Sequence, residues 1–285
     1  MARESIMTAE DIQKITRPLS INRVWIGTSV LVSVLVAITS LFGIFVKTTY
    51  LRETSAWAIQ AIGQDCANLV VVIVLLISTF FVLNNSLKAF LVWLGIYLYL
   101  LYAFMIYTFS VHFQFLFLAY VLILGLSFYT LIGGLLSVDL DMISPSLMGN
   151  TRAGAVSIFL FGIGVLFSLL WLSEIIPNLV AGTIPRSLVD TQLWVNPVHV
   201  LDLALLLPGM IITSFLLWKG KILGYVMAVP MLVFAATMGL GIIAMFILSA
   251  IQGMSFPMPA AIMVGTIIVL STAFSFLFCK EIPEN

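Results

Sequence analysis

Eight stretches of apolar side chains, each about as long as a lipid bilayer is thick, leave this chain very few ways to fold. Crossing about 30 Å of hydrocarbon at 1.5 Å per residue takes roughly 20 apolar residues. Runs of that kind lie at Val24–Val46, Cys66–Leu83, Ala89–Phe109, Phe115–Leu136, Ala155–Ile176, Val198–Trp218, Tyr225–Ile251 and Ala260–Cys279. Hydrocarbon offers the backbone no hydrogen-bond partner, so only helices and closed barrels cross it. These runs are too long for barrel strands and do not alternate apolar with polar residues, so they predict helices. Composition agrees: the 285 residues are 62% hydrophobic and 8% charged, where soluble domains carry roughly a quarter charged residues. The expected fold is an all-α polytopic membrane protein with eight transmembrane helices.

The basic residues set an expected direction. With the N-terminus in the cytoplasm, Arg3, Lys14, Arg17, Arg23, Lys88, Arg152, Lys219, Lys221 and Lys280 fall on that side, against Lys47, Arg52 and Arg186 on the other. That is the positive-inside pattern; eight crossings return the C-terminus to the cytoplasm, and the expected location is the cytoplasmic (inner) membrane. All six tryptophans fall near expected span ends, where amphipathic rings sit at headgroup level. The twelve basic and twelve acidic residues cancel, so no field favours nucleic acid and the expected partner is the lipid bilayer. Cys66 and Cys279 are expected near opposite membrane faces, which argues against a bond between them. The first apolar run exceeds the usual signal-peptide length and follows more than twenty mostly polar residues. Within them "TAEDIQKITRPLS" reads either as a solvated tail or as a short helix capped by Thr8 and stopped before Pro18.

A shift of about 137 residues pairs "DCANL" at Asp65 with "DLALL" at Asp202 and brings later spans into register. An even number of helices per half would relate the halves by an axis along the membrane normal. The expected organisation is a cytoplasmic segment 1–23, a four-helix half 24–136, a linker 137–154, a second half 155–279 and a tail 280–285.

Polar groups cluster at one depth. Asp202 precedes Lys219 by seventeen residues and Asp65 precedes Asn84 by nineteen, so both lie roughly 25–28 Å from the cytoplasmic boundary. Gln64, Asp65 and Asn68 project to one side of their span, as do His199 and Asp202 of theirs. Glu174, in "WLSEIIP", falls at the same outer level. Carboxylates near lipid normally face protein or a water-filled cavity. Two readings stay open: Gln64, Asp65, Asn68, Glu174, His199 and Asp202 line a shared outer pocket, or Asp65 and Asp202 cap helix ends, with Asp65 the readier cap. Two histidines without zinc-type spacing give little basis for a metal site, and no nucleophile elbow or nucleotide-binding loop is present. No pattern points to a cofactor or an oligomeric state.

Other features have mainly structural readings. Tyr97, Tyr99, Tyr102 and Tyr107 offer hydroxyls to the interior or to ordinary packing. The glycines of "FGIGV" and "TMGLG" suit close helix approach, and Pro208 and Pro230 are candidate kinks. "PNLVAGTIPRSLVDTQLWVNP" reads as a compact surface loop over the polar cluster, the segment around Trp57 as a short interfacial helix, and Asp139 and Asp141 as solvated.

At "AIGQD", "WLSEIIPNLVAGT" and "NPVHVLDLALLLP" the chain resembles a family of prokaryotic multi-span membrane proteins carrying GQD-type and NPVHVLDL-type motifs, with no assigned activity. The resemblance draws attention to Gln64, Asp65, Glu174, His199 and Asp202. Three functions are weighed. The first is binding or transport of a small solute through the outer polar pocket. The second is a membrane-embedded acid–base enzyme acting on a lipid or isoprenoid, with Asp202 and His199 as the pair and Glu174 as a second acid. The third is a non-catalytic subunit or assembly factor.

Overall fold

A computed structural model describes residues 21–283; the "TAEDIQKITRPLS" segment lies outside them. Among the described residues all regular structure is helical. Eight helices are long and apolar enough to span a membrane: α1 (Arg23–Phe45), α2 (Ser55–Leu83), α3 (Leu87–Ser110), α4 (Phe117–Leu136), α6 (Ala153–Ala181), α8 (Pro197–Trp218), α9 (Ile222–Ile251) and α10 (Met258–Lys280). Two short helices, α5 (Leu140–Leu147) and α7 (Arg186–Thr191), lie between spans.

Large apolar side chains such as Leu118, Ile158, Leu169 and Phe276 stand exposed on the outside, as lipid-facing surfaces require. Polar side chains turn inward: Ser29, Asn68, Ser127 and Thr130 have no exposed surface. With apolar faces on both sides, helices here gain less from hydrophobic burial than from close packing and interhelical hydrogen bonds. α3 is the most enclosed span and packs against α2, α4 and α9, while α9 also packs against α2, α8 and α10. α3 crosses α9 where Gly95 meets the Pro230 carbonyl; a Cβ on Gly95 would lie 2.8 Å from that oxygen. Only glycine lets the two backbones come this close.

Three expectations are corrected. α2 starts at Ser55, capped by the Thr54 hydroxyl on the Trp57 amide (3.2 Å), well before the expected start at Cys66. The polar Gln64 and Asp65 interrupt the apolar run but not the helix, because neighbouring helices supply their hydrogen-bond partners. Trp57 consequently sits inside a long span and not in an interfacial helix; it is buried, its ring N–H donating to the Ser110 carbonyl (3.0 Å). Of the tryptophans expected near span ends, Trp194 and Trp218 are exposed and Trp25 is half-buried in the first turn of α1, whereas Trp93 is fully enclosed and donates to Ser29 Oγ (3.1 Å).

α6 runs through Pro177 to Ala181 and ends where Gly182 adopts a left-handed φ of 64°, the usual glycine exit from a helix. In the connection that follows, α7 packs against α2, and Thr54 Oγ1 reaches the Thr191 carbonyl (3.4 Å). Trp194 is 99% exposed and covers nothing. On the other side of the bundle, Asp139 and Asp141 are exposed, and Asp139 additionally caps α5 through the Asp141 and Met142 amides (3.0 and 3.3 Å). The start of α6 is tied to the end of α10 by Asn150, which donates to the Phe278 carbonyl (2.9 Å), and by Thr151, whose amide donates to Glu281 (2.6 Å).

Candidate functional site

Asp65 lies ten residues inside α2 and is 2% exposed, so it caps nothing. Oδ2 accepts from the Tyr50 hydroxyl (2.6 Å) and Oδ1 from the Tyr107 hydroxyl (2.9 Å), which also bonds the Ala61 carbonyl (3.0 Å). Each carboxyl oxygen thus has a hydrogen-bond partner, as a buried polar group requires. Tyr50 comes from the α1–α2 connection and Tyr107 from α3. Gly43 on α1 closes the remaining side: a Cβ there would fall 1.8 Å from Asp65 Oδ2.

Beside Asp65 on the same helix, the Gln64 amide donates to the Tyr99 hydroxyl. Tyr99 donates to Asn68 Oδ1 (2.8 Å), and Asn68 Nδ2 donates to Ser40 Oγ (3.2 Å). Gln64 packs against Gly241 of α9, so this network joins α1, α2 and α3 and touches α9.

Asp202 is set differently. The α8 N-terminus is capped by Asn196, whose Oδ1 accepts from the Val198 and His199 amides (3.0 and 3.4 Å). Asp202 therefore caps nothing either. Residues Asp202–Leu206 form a π-helical turn in which the Leu207 amide donates to the Asp202 carbonyl. Pro208 follows directly; lacking an N–H, it cannot continue the ordinary ladder, and the wider turn takes up the mismatch. Such π-bulges occur frequently at functional sites. The Asp202 carboxylate accepts from the Tyr102 hydroxyl of α3 (2.8 Å) and from the Trp171 ring N–H of α6 (2.7 Å).

His199 does not pair with Asp202 as expected. Its Nε2 lies 3.6 Å from Glu174 Oε2, and its ring packs on Trp171 with centroids 4.7 Å apart. Glu174 also accepts from the Ser187 amide (3.3 Å), tying the α6 end to α7.

Among these helices lies a cavity of about 340 Å³ bordered by α2, α3, α6, α8, α9 and α10. Its walls are mostly aliphatic, aromatic and methionine side chains, among them Phe167, Met210, Phe234 and Met238. The polar lining consists of a few groups, including Gln60, Gln64, Asn196 and Asp202. Of the six residues selected from sequence, Gln64 and Asp202 reach this cavity. Asp65 and Asn68 stand behind its wall in the tyrosine network. His199 and Glu174 lie beyond Trp171, where His199 borders a separate hollow with Asn178, Leu188 and Asn196. The single shared polar pocket is thus divided into three settings.

Tyr50, Tyr102, Tyr107 and Trp171 complete the carboxylate sites and were not among the candidates. The tyrosines of α3 carried a partial signal, since Tyr102 and Tyr107 supply hydroxyls at the depth of the two aspartates. Pro208, six residues beyond Asp202, was the mark of the widened turn. Among the described residues no group of three or more His, Cys, Asp and Glu side chains is placed to hold a metal ion. Comparisons with known protein families, with curated proteins and with solved structures find no match to this chain.

Proposed function

We propose that the protein binds a small, largely apolar molecule in the central cavity, as a binding protein or carrier. One observation carries this reading: an apolar-walled cavity of about 340 Å³ among the spans, with one carboxylate and a few amides in its wall. That size and lining are typical of small-molecule sites, in which apolar surface supplies affinity and a few polar groups fix orientation. Transport is favoured by the π turn and Pro208 at the cavity wall, since a discontinuous helix beside a site is a recurrent carrier feature.

The test is thermal unfolding in phosphatidylcholine nanodiscs with tert-butylbenzene, a neutral molecule smaller than the cavity. Binding raises Tm by mass action, by about 2–4 °C for a ligand contribution near 1 kcal/mol. Met238→Trp, which fills the cavity from its own wall, removes the rise. An equal response from both proteins overturns the reading, as does a wild type that responds neither to this molecule nor to a cationic analogue of the same shape.

An acid–base enzyme acting on a lipid is the second reading, favoured by the position of Asp202 against an apolar volume that would hold a chain. Turnover of a lipid extract, lost in Asp202→Asn, supports it; an unchanged extract does not.

The expected topology belongs to the same proposal: inner membrane, both chain ends cytoplasmic, cavity toward the outside. Cysteine labelling at Trp194→Cys and Trp218→Cys from each side of sealed vesicles tests it. A duplicated origin of the halves is supported by the α3–α9 crossing. Gly95 approaches Pro230 and Val233, which bracket the residue that the 137-residue shift pairs with Gly95.

A further inference from the structure

We propose that the ligand of the central cavity is an organic cation, an ammonium group carrying an apolar body. This rests on the cavity being a ligand site and adds the charge of the ligand. Among the described residues lining the cavity, Asp202 alone has a formally charged side chain; no lysine or arginine reaches the wall.

An ionised carboxylate inside the hydrophobic span is costly unless a cation or water meets it. Tyr102 and Trp171 donate hydrogen bonds to it, yet both are neutral and leave the negative charge uncancelled. His199, three residues before Asp202 in the same span, directs its ring nitrogen to Glu174 and packs its ring on Trp171. Asp65 differs here, being closed in on all sides by Tyr50, Tyr107 and Gly43. Asp202 still faces open volume.

The rest of the wall suits the same ligand. Trp57, Tyr102, Tyr107, Phe167, Trp171 and Phe234 place aromatic rings around the cavity. Ring faces attract ammonium groups, more so where water is excluded. Met210, Met238 and Met245 offer adaptable, polarisable surface to an apolar body. An anionic ligand would meet the Asp202 carboxylate with no basic side chain to offset it. A neutral one would leave that carboxylate unpaired.

Two isosteres decide the matter. Phenyltrimethylammonium and tert-butylbenzene share shape and differ by a charged nitrogen in place of carbon. The readout is the ligand concentration giving half the maximal Tm rise, measured in phosphatidylcholine nanodiscs that carry no net charge. We expect the wild type to respond to the cation at a concentration at least about tenfold lower than to the neutral compound. Asp202→Asn should bring the two within about twofold, and Met238→Trp should remove both responses. If both compounds act on the wild type at the same concentration, and Met238→Trp still removes them, the cavity stands as a site and the cation inference falls. If neither acts on the wild type, or Met238→Trp responds as the wild type does, the site itself falls and this inference with it. Should Asp202→Asn fail to assemble, the wild-type comparison alone decides.

Discussion

Asp65 and Asp202 lie 137 residues apart in the chain, and the fold uses them in opposite ways. Asp65 is sealed: two tyrosines take its oxygens and Gly43 leaves no room beside it. Asp202 is held by two donors on a widened helical turn and keeps a face on the cavity. A carboxylate in a membrane protein can therefore be structural cement or a site for a ligand, and burial does not tell them apart: the two are 2% and 6% exposed. What separates them is whether the volume in front of the carboxylate is filled.

The sharpest way to break this contrast is Gly43→Ala. The added methyl must displace the Asp65 carboxylate and disturb its tyrosine bonds, for a loss of about 3 kcal/mol or more, read as denaturant unfolding in micelles. A loss below about 1 kcal/mol would mean that Asp65 is not sealed. Next in size are the paired amide substitutions. Asp65→Asn should cost about 2 kcal/mol, because both tyrosine hydroxyls lose an ionised acceptor without relief from water. Asp202→Asn should cost under about 1 kcal/mol, since the cavity gives its partners room to readjust. Equal losses at the two positions would erase the distinction.

Pro208→Ala sharpens the Asp202 side. An alanine N–H can donate to the Ala204 carbonyl, which favours an ordinary α turn and rotates Asp202 by about 100° relative to the helix beyond it. Stability should change by less than about 1 kcal/mol, while the half-maximal concentration of phenyltrimethylammonium rises several-fold. Unchanged ligand response would show that the π turn does not aim the carboxylate.

The smallest effect lies outside the membrane spans. Glu281 accepts from Thr151 and faces Arg152 (3.4 Å); the Thr151 hydrogen bonds, first of all, hold its carboxyl below the usual 4.5. Its contribution to stability is complete above that usual value and disappears as pH falls through the lower folded value. Unfolding curves should thus show a slight loss of stability below pH 4.5, absent in Glu281→Gln. The same slope in both proteins would assign it elsewhere.

Much of the architecture was legible because lipid imposes one demand along the whole length of a span. Seven of the eight expected starts agree with the observed helices to within about three residues; α2 is the exception, starting at Ser55 and not Cys66. A count of apolar residues stops at Gln64 and Asp65, though a helix continues through polar residues when its neighbours supply hydrogen bonds. The site was legible only in its acids. Gln64 and Asp202 were found by depth, as were Asp65 and Asn68, but depth gives a level in the membrane and not a direction around the helix. His199 shows the cost: three residues from Asp202, it turns to Glu174 on α6 instead.

The sequence by itself determined eight crossings and the level at which the polar groups sit, because both follow from length and hydropathy along a single segment. Only the tertiary structure decided that Tyr50 and Tyr107 enclose one aspartate while Tyr102 and Trp171 present the other to a cavity. The physical reason is that a buried charge is satisfied by groups from other helices, and the arrangement of those helices around one another is written in their packing and not in any one run of residues.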